Sequence, residues 1–269
     1  MARTALITGS SSGIGLATAQ LFAQQGWNVA ATSRDPSSLA SLAGANIFTH
    51  QLDVTDAASI AAAVATTTDR FGSIDVLVNN AGYGLFGPLE GITPDQLEAQ
   101  FQANLFGAVS MIRAVVPIMR QQHNGTIVNV SSTGGRIASP FAAAYHASKY
   151  ALEGLSESLR YELKLQGIRV KLVEPGHVKS GFIRSLTWAT HDAYEPQLQN
   201  YMGWVAQSDD HAPPVDGVAK VIVTAATDRS GRLRYLAKAG PLLTIHAMLP
   251  DGMWTAMAGA GLNRAPRKR

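Results

Sequence analysis

Cysteine is missing altogether from this 269-residue chain. Its absence excludes a disulfide scaffold, a thiolate nucleophile and any zinc or iron–sulfur centre built on thiolates. It suits a reducing compartment, and a cytoplasmic location is the expectation. The opening Met1-Ala2-Arg3-Thr4 runs straight into a strand-like segment with no apolar h-region, so no secretory signal is visible. No apolar run reaches the roughly 18 residues of a membrane-spanning helix. His146, His177, His191 and His211 are scattered without metal-ligand spacing, so no metal site is expected. Charge is also scarce, at 15% of residues. The net charge is +3, but Arg264, Arg267, Lys268 and Arg269 crowd the C-terminus. Without those four the body carries −1, which points away from nucleic acid. The tail at 264–269 reads as a solvated terminus.

What is present argues for a folded domain: 46% hydrophobic residues, with 25 Gly and 12 Pro. Strand-like and helix-like segments alternate. Ala5–Thr8, Asn28–Thr32, Ile47–Leu52, Asp75–Asn79, Thr126–Val130 and Arg169–Val173 read as strands, several of them continuously apolar. Helices are expected over Ile14–Gln25, over Asp56–Phe71 with Asp56 as cap, over Thr93–Gln122 with Thr93 as cap and Pro94 first, and over Tyr145–Leu165 closed by Gly167. This alternation predicts an α/β fold: a doubly wound, mostly parallel sheet with helices on both faces, in a single domain over 1–269. After Pro175 the periodicity weakens. Residues 176–212 carry many aromatics and few helix signals, and are expected to form a substrate loop. A helix over Asp210–Asp228 and a last strand over Leu233–Leu236 follow. The segment from Pro241 to Gly261, rich in Met and Leu, reads either as a further contact or as a cover for the pocket.

Chemistry concentrates at the ends of these strands. Thr8-Gly9-Ser10-Ser11-Ser12-Gly13-Ile14-Gly15 lies between the first strand and the first helix. Its glycines allow close approach of backbone to a phosphate, and the helix start offers free N–H groups. Tyr145 and Lys149, four apart, share one helix face, where an ammonium beside a phenol favours the phenolate. Ser132 ends a strand thirteen residues earlier. Asn79-Asn80-Ala81-Gly82 and Pro175-Gly176 end two others. An open α/β sheet binds its ligand at such ends.

Taken together, these motifs resemble the short-chain dehydrogenase/reductase family over about residues 3–240. The resemblance is strongest to 17β-hydroxysteroid dehydrogenase-like and retinol dehydrogenase-like members. It implies Tyr145 as catalytic acid/base, Lys149 as the lysine that lowers the phenol's pKa and holds ribose hydroxyls, and Ser132 as hydrogen-bond donor to the substrate oxygen. Asn104, in Asn104-Leu105-Phe106-Gly107, would support a water relay to the lysine. The cofactor would lie along Gly9, Ser11, Ser12, Gly13, Ile14 and Gly15, with Asp53 and Val54 at the adenine. Asn80, Ala81 and Gly82 would form its floor, and Pro175, Gly176 and Val178 would border the nicotinamide, with Ser180 keeping a hydroxyl nearby. Ser33 stands where NAD-preferring members carry an acid, and Arg34 follows it. NADP(H) is therefore expected, with NAD(H) possible.

The implied activity is the interconversion of a carbonyl and an alcohol. Phe86, Phe141 and Trp188, with Tyr201, Trp204, His177 and His191, are candidates for a pocket wall, which implies a small apolar carbonyl or alcohol substrate. A homodimer or homotetramer built on Thr93–Gln122 and Tyr145–Leu165 is implied as well. The alternative is a non-catalytic NADP(H)-binding sensor or interaction protein on the same fold.

Overall fold

The computed structural model describes residues 2–42, 44, 46–260 and 262. The basic tail singled out above lies outside them.

Short, continuously buried strands alternate with helices. In chain order they are β1 (Thr4–Ile7), α1 (Gly13–Gln24), β2 (Asn28–Ser33), β3 (Ile47–Gln51), α2 (Ala57–Phe71), β4 (Val76–Asn79), β5 (Leu85–Phe86), α3 (Pro94–Phe101), α4 (Gly107–Gln121), β6 (Gly125–Val130), α5 (Ala143–Lys164), β7 (Ile168–Pro175), β8 (Thr187–Trp188), α6 (Glu195–Asp210), α7 (Asp216–Thr227), β9 (Arg234–Ala237), α8 (Leu242–Met248) and α9 (Asp251–Gly259). Seven strands form one parallel sheet in the order β3-β2-β1-β4-β6-β7-β9.

Both faces of the sheet are covered, which is why its strands need no polar side. Ala5, Ile7, Val29, Ala31, Val76, Val78, Val128 and Val173 pack against Phe22 of α1 and Val218 and Ile222 of α7. Their alternate neighbours Leu6, Leu77, Ile127 and Leu172 face Ile60 of α2, Met111, Val115 and Met119 of α4 and Leu163 of α5. Each large apolar side chain buried in this way contributes about 1.5–3 kcal/mol. Strand order reverses between β1 and β4, so the crevice beyond their carboxyl ends is the natural ligand site.

Local chemistry explains the helix starts. Asp56 Oδ1 accepts the Ala58 N–H at 2.9 Å. The Thr93 hydroxyl accepts from Gln96 N at 3.2 Å, while Gln96 Oε1 accepts from Thr93 N at 3.0 Å, a reciprocal cap. Gly167 adopts φ +73°, which stops α5.

Three features depart from expectation. First, the run from Pro94 to Gln121 is not uniformly α-helical: residues 102–106 form a π turn. This widened turn turns Asn104 inward, and π turns are frequent at functional sites. By length and composition the same 28-residue run, whose most apolar window has a mean hydropathy of 1.3, would suffice to cross a membrane. Here Met111, Ile112, Val115 and Met119 lie in the core instead. Second, the segment expected to be loop holds a 16-residue helix, α6, with Pro at its start and Leu198, Tyr201, Val205 and Asp209 buried at helical spacing. Its aromatic density masked that period. Third, the following helix begins at Asp216 rather than Asp210, because Pro213 and Pro214 hold the intervening chain extended.

Candidate active site

A cavity of about 2090 Å³ opens along the carboxyl ends of β1, β4, β6 and β7. Its floor is the glycine loop. Gly9 and Gly13 sit at φ +68° and +54°, where a side chain would be strained. A Cβ on Gly13 would also stand 2.5 Å from the Ser180 carbonyl oxygen. Gly15 is not on the cavity wall. It lies behind the loop, where a Cβ would strike the Gly9 carbonyl oxygen. Ser12 occupies the cap position of α1 without bonding back to it. The first-turn N–H groups are thus left to an anion. Asn80 Nδ2 donates to the Thr8 and Gly9 carbonyls at 3.0 and 2.9 Å. Those two bonds fix the β1 loop against the β4 loop.

Ser33, Arg34 and Asp35 form the wall at the end of β2. Asp35 is turned away from its neighbour: Oδ1 accepts from Ser37 N and Ser37 Oγ at 2.9 and 2.7 Å. Among the described residues Arg34 makes no ion pair within 4 Å with it. Asp53, also on the wall, accepts from Thr55 N and Oγ1 at 2.9 and 2.8 Å. The Thr55 N–H bond, aided by the Arg34 charge, holds its carboxyl below the usual range.

Across the cavity, Ser132, Tyr145 and Lys149 converge from the end of β6 and the first turns of α5. The Ser132 hydroxyl accepts the Gly134 N–H at 3.0 Å. Burial raises the Tyr145 phenol's pKa, and Ser132 is the group that lowers it. The implied lowering by Lys149 is therefore not what the chain displays. Lys149 Nζ donates to the Val130 carbonyl at 3.0 Å. Burial pulls its pKa down to about 8, against the opposing pull of Glu153.

Asn104 lies off the wall and bonds the Tyr83 backbone and the Ser148 hydroxyl. Oδ1 accepts from Tyr83 N at 3.0 Å, and Nδ2 donates to Tyr83 O and Ser148 Oγ at 2.9 and 3.1 Å. It ties the β4 loop to the helix bearing Tyr145 and Lys149. His146 is a brace: the Ser139 N–H donates to Nε2 at 3.0 Å, so Nδ1 carries the proton and donates to Gly134 O at 2.7 Å.

The aromatic wall differs from expectation in its members. Phe86, Tyr201, Trp204 and Phe182 face the cavity. Phe141 and Trp188 do not: Trp188 meets Phe86 edge-on at 5.6 Å from behind, and Phe141 likewise meets Tyr201 at 5.7 Å. Spacing along the chain cannot tell the ring on the wall from the ring supporting it. His177 is on the wall, held by Asp209 Oδ1 at 3.2 Å and Ser208 Oγ at 3.1 Å. His191 is not; it caps a turn by accepting from Ala193 N at 3.3 Å. Trp254 and Met257 of α9 complete the far wall.

Behind Lys149 lies a pair that motif reading missed. Glu174 is fully buried and Glu153 nearly so. Arg234 Nε reaches Glu153 at 3.0 Å and Glu174 at 3.3 Å, and Arg136 reaches Glu174 at 3.6 Å. Burial, and then the neighbouring Glu153, push the Glu174 carboxyl up. A charge inside the apolar run Leu172-Val173-Glu174-Pro175 was the available signal.

The profile of the short chain dehydrogenase family matches residues 3–189. An uncharacterized oxidoreductase of Schizosaccharomyces pombe is 42% identical over 191 residues, 71% of this chain and 81% of that protein. The 17-beta-hydroxysteroid dehydrogenase type 1 of Mus musculus is 36% identical over 251 residues, 86% of this chain and 72% of its own. A metagenomic short-chain oxidoreductase crystallised with NADP superposes with a TM-score of 0.71 at 32% identity, covering 87% of this chain and 96% of that one. The doubly wound sheet with a crevice at its strand-order reversal is a nucleotide-binding architecture, and the matches make the protein an oxidoreductase. More particularly, the chain belongs to the short-chain dehydrogenase/reductase family.

Proposed function

We propose that this oxidoreductase interconverts a ketone or aldehyde and the corresponding alcohol, with NADP(H) as its preferred cofactor and an apolar small molecule as substrate. The observation that carries the reading is the convergence of Ser132, Tyr145 and Lys149 on one wall, opposite a glycine loop that only bare backbone can form. When bound, the dinucleotide supplies or accepts the hydride. The uncapped first turn of α1, the Gly9–Gly13 loop and Arg34 would hold its phosphates, and NAD(H) would bind the same cradle without using Arg34. Lys149 would reach the ribose hydroxyls with the donors that Val130 leaves over.

The Ser132 and Tyr145 hydroxyls hydrogen-bond the carbonyl oxygen as negative charge develops there, and Tyr145 delivers the proton. Because burial raises the phenol, it is protonated and ready to act as the acid in the reduction direction. Asn104 holds the loop and helix that set this geometry. The rings of Phe86, Phe182, Tyr201 and Trp204 give the substrate an apolar wall.

We also assign the protein to the cytoplasm. A homodimer or homotetramer would bury the outer sides of α3–α4 and α5, where Phe106, Tyr150 and Tyr161 are exposed. Light scattering on the purified chain reads that state directly. For the activity, turnover of ketone and aldehyde panels is followed with NADPH and NADH against a Tyr145→Phe control. Consumption that prefers NADPH and drops in the control by about two to four orders of magnitude is expected. Undiminished turnover in Tyr145→Phe, or tighter binding of NADH than of NADPH, would overturn the corresponding part of the reading. Tight cofactor binding with no turnover would favour the sensor alternative.

A further inference from the structure

In the first turn of α5, directly after Tyr145, stands a buried histidine that the proposed chemistry leaves unused. His146 turns its ring back over the loop that joins β6 to α5. Burial pulls its pKa below the ordinary value, so the ring is neutral at neutral pH and keeps a lone pair at Nε2. That lone pair takes the Ser139 N–H, and Ser139 Oγ stands 3.0 Å from the same nitrogen. Ser139 Oγ in turn accepts the Tyr201 hydroxyl at 3.1 Å. At the other edge of the ring, Nδ1–H reaches Gly134 O at 2.7 Å, and the Gly134 N–H ends on Ser132 Oγ at 3.0 Å. One imidazole thus stands between a ring of the cavity wall and the hydroxyl of Ser132. The loop it grips is tightly held. A Cβ on Gly134 would come within 2.8 Å of Nδ1, so only glycine admits the imidazole. Phe141, between Ser139 and the helix, sits at φ +55°, which a bulky residue keeps only where its surroundings fix it.

We propose that His146 is a positioning residue with two separable tasks. Through Nδ1–H it sets Gly134 and with it the Ser132 hydroxyl, which governs how well the transition state is met. Through Nε2 it sets Ser139 and with it the Tyr201 ring, which governs how well the substrate's apolar part is held. The first task rests on the carbonyl–alcohol reading above, which puts Ser132 at the reacting oxygen; the second rests on the apolar substrate of that reading. Every donor along the path points one way, from Tyr201 through Ser139, His146 and Gly134 to Ser132, so no two groups compete for one proton. A buried chain of this kind is stiff while every member is paired, and one missing partner loosens its neighbours. The two tasks separate because the ring nitrogens lie at different reach. Nδ1 is bonded to Cγ, as an asparagine amide nitrogen is, whereas Nε2 lies one atom further out, as a glutamine amide oxygen does.

The test compares His146→Gln, His146→Asn and the wild-type chain by steady-state kinetics on a carbonyl that the wild type reduces. Melting temperature and the NADPH dissociation constant are measured alongside. His146→Gln keeps the acceptor for Ser139 and loses the donor to Gly134, so kcat is expected to fall about tenfold with KM close to wild type. His146→Asn keeps the donor and loses the acceptor, so KM is expected to rise about three- to tenfold with the smaller change in kcat. Tyr201→Phe also frees the ring from Ser139; its rise in KM should match that of His146→Asn and not add to it in the double variant. NADPH affinity is expected to be unchanged in both His146 variants. Equal losses of kcat in the two variants, or a reversed split, overturn the inference. So do lowered melting temperatures with both kinetic constants unchanged, which would make the histidine a brace of the fold alone. A wild type that reduces no carbonyl overturns the carbonyl–alcohol reading and this inference together, whereas an active wild type whose variants show no split overturns the inference alone.

Discussion

Two lysines are buried among the described residues, and they are served in opposite ways. Lys171, in β7, is almost wholly enclosed. Its ammonium donates to the carbonyls of Ser230 and Arg232, both at 2.8 Å, and to the Tyr235 hydroxyl at 3.1 Å. The Tyr235 hydroxyl in turn donates to Asp228 through a short bond. Burial, and then Asp228, push that phenol up to about 12, and the bonds from Tyr235 and Ser230 hold the Asp228 carboxyl far down. All three donors of Lys171 are used. Lys149 is buried as well, but among the described residues its ammonium has one hydrogen-bond acceptor, the Val130 carbonyl. Enclosing a cation with one acceptor costs stability. A saturated lysine fastens β7 to the turn before β9; a lysine with spare donors on a cavity wall is held ready for a ligand.

The sharpest way to break this comparison is to remove each charge in turn. Lys149→Met should lower turnover by about two to four orders of magnitude while leaving the melting temperature unchanged or raised. A Lys149→Met chain that unfolds would show the lysine to be structural. Lys171→Met should do the reverse: lose about 1.5–3 kcal/mol in urea unfolding, with turnover per folded molecule unchanged.

Acidity sharpens the contrast further. The ammonium of Lys149, at about 8, lies below its ordinary 10.5. Its cost to stability is thus complete below about pH 8 and is relieved as pH rises from there toward 10.5. The stability gained in Lys149→Met should be greatest at neutral pH and shrink above pH 8. For the same reason kcat/KM for carbonyl reduction should fall as pH rises through about 8, since that parameter reports the free enzyme. A flat profile across pH 7–9.5 would detach the lysine from the chemistry.

The smallest effect concerns a third cation. Arg34 stands on the cavity wall while Asp35 is engaged by Ser37. Arg34→Ser should cut the preference for NADPH over NADH about tenfold, read as the ratio of dissociation constants. An unchanged ratio would mean that 2′-phosphate selection lies elsewhere.

The legibility of this molecule followed the range of the forces involved. Strand and helix segments were readable because burial on both sheet faces demands apolar runs, and because caps such as Thr93 with Gln96 act within one turn. The glycine loop was readable because its spacing and its positive φ angles are local, whereas the close approach of Ser180 to Gly13 was not. The π turn at 102–106 was not, since Asn104 faces inward only through its bonds to Tyr83 and Ser148, 21 and 44 residues away. Helix α6 was hidden because an aromatic wall and a helix share the same residues.

By itself, then, the sequence determined the layered parallel sheet and the residue types gathered at the strand ends, because each depends on local periodicity or a short motif. Only the tertiary structure decided which rings face the cavity and which stand behind them. It alone brought the carboxyls of Glu153 and Glu174 together on Arg234. It also decided that one buried lysine is saturated and the other kept available. Those outcomes depend on which atoms from distant segments meet within a few ångströms, and hydrogen bonding and desolvation act only at that distance.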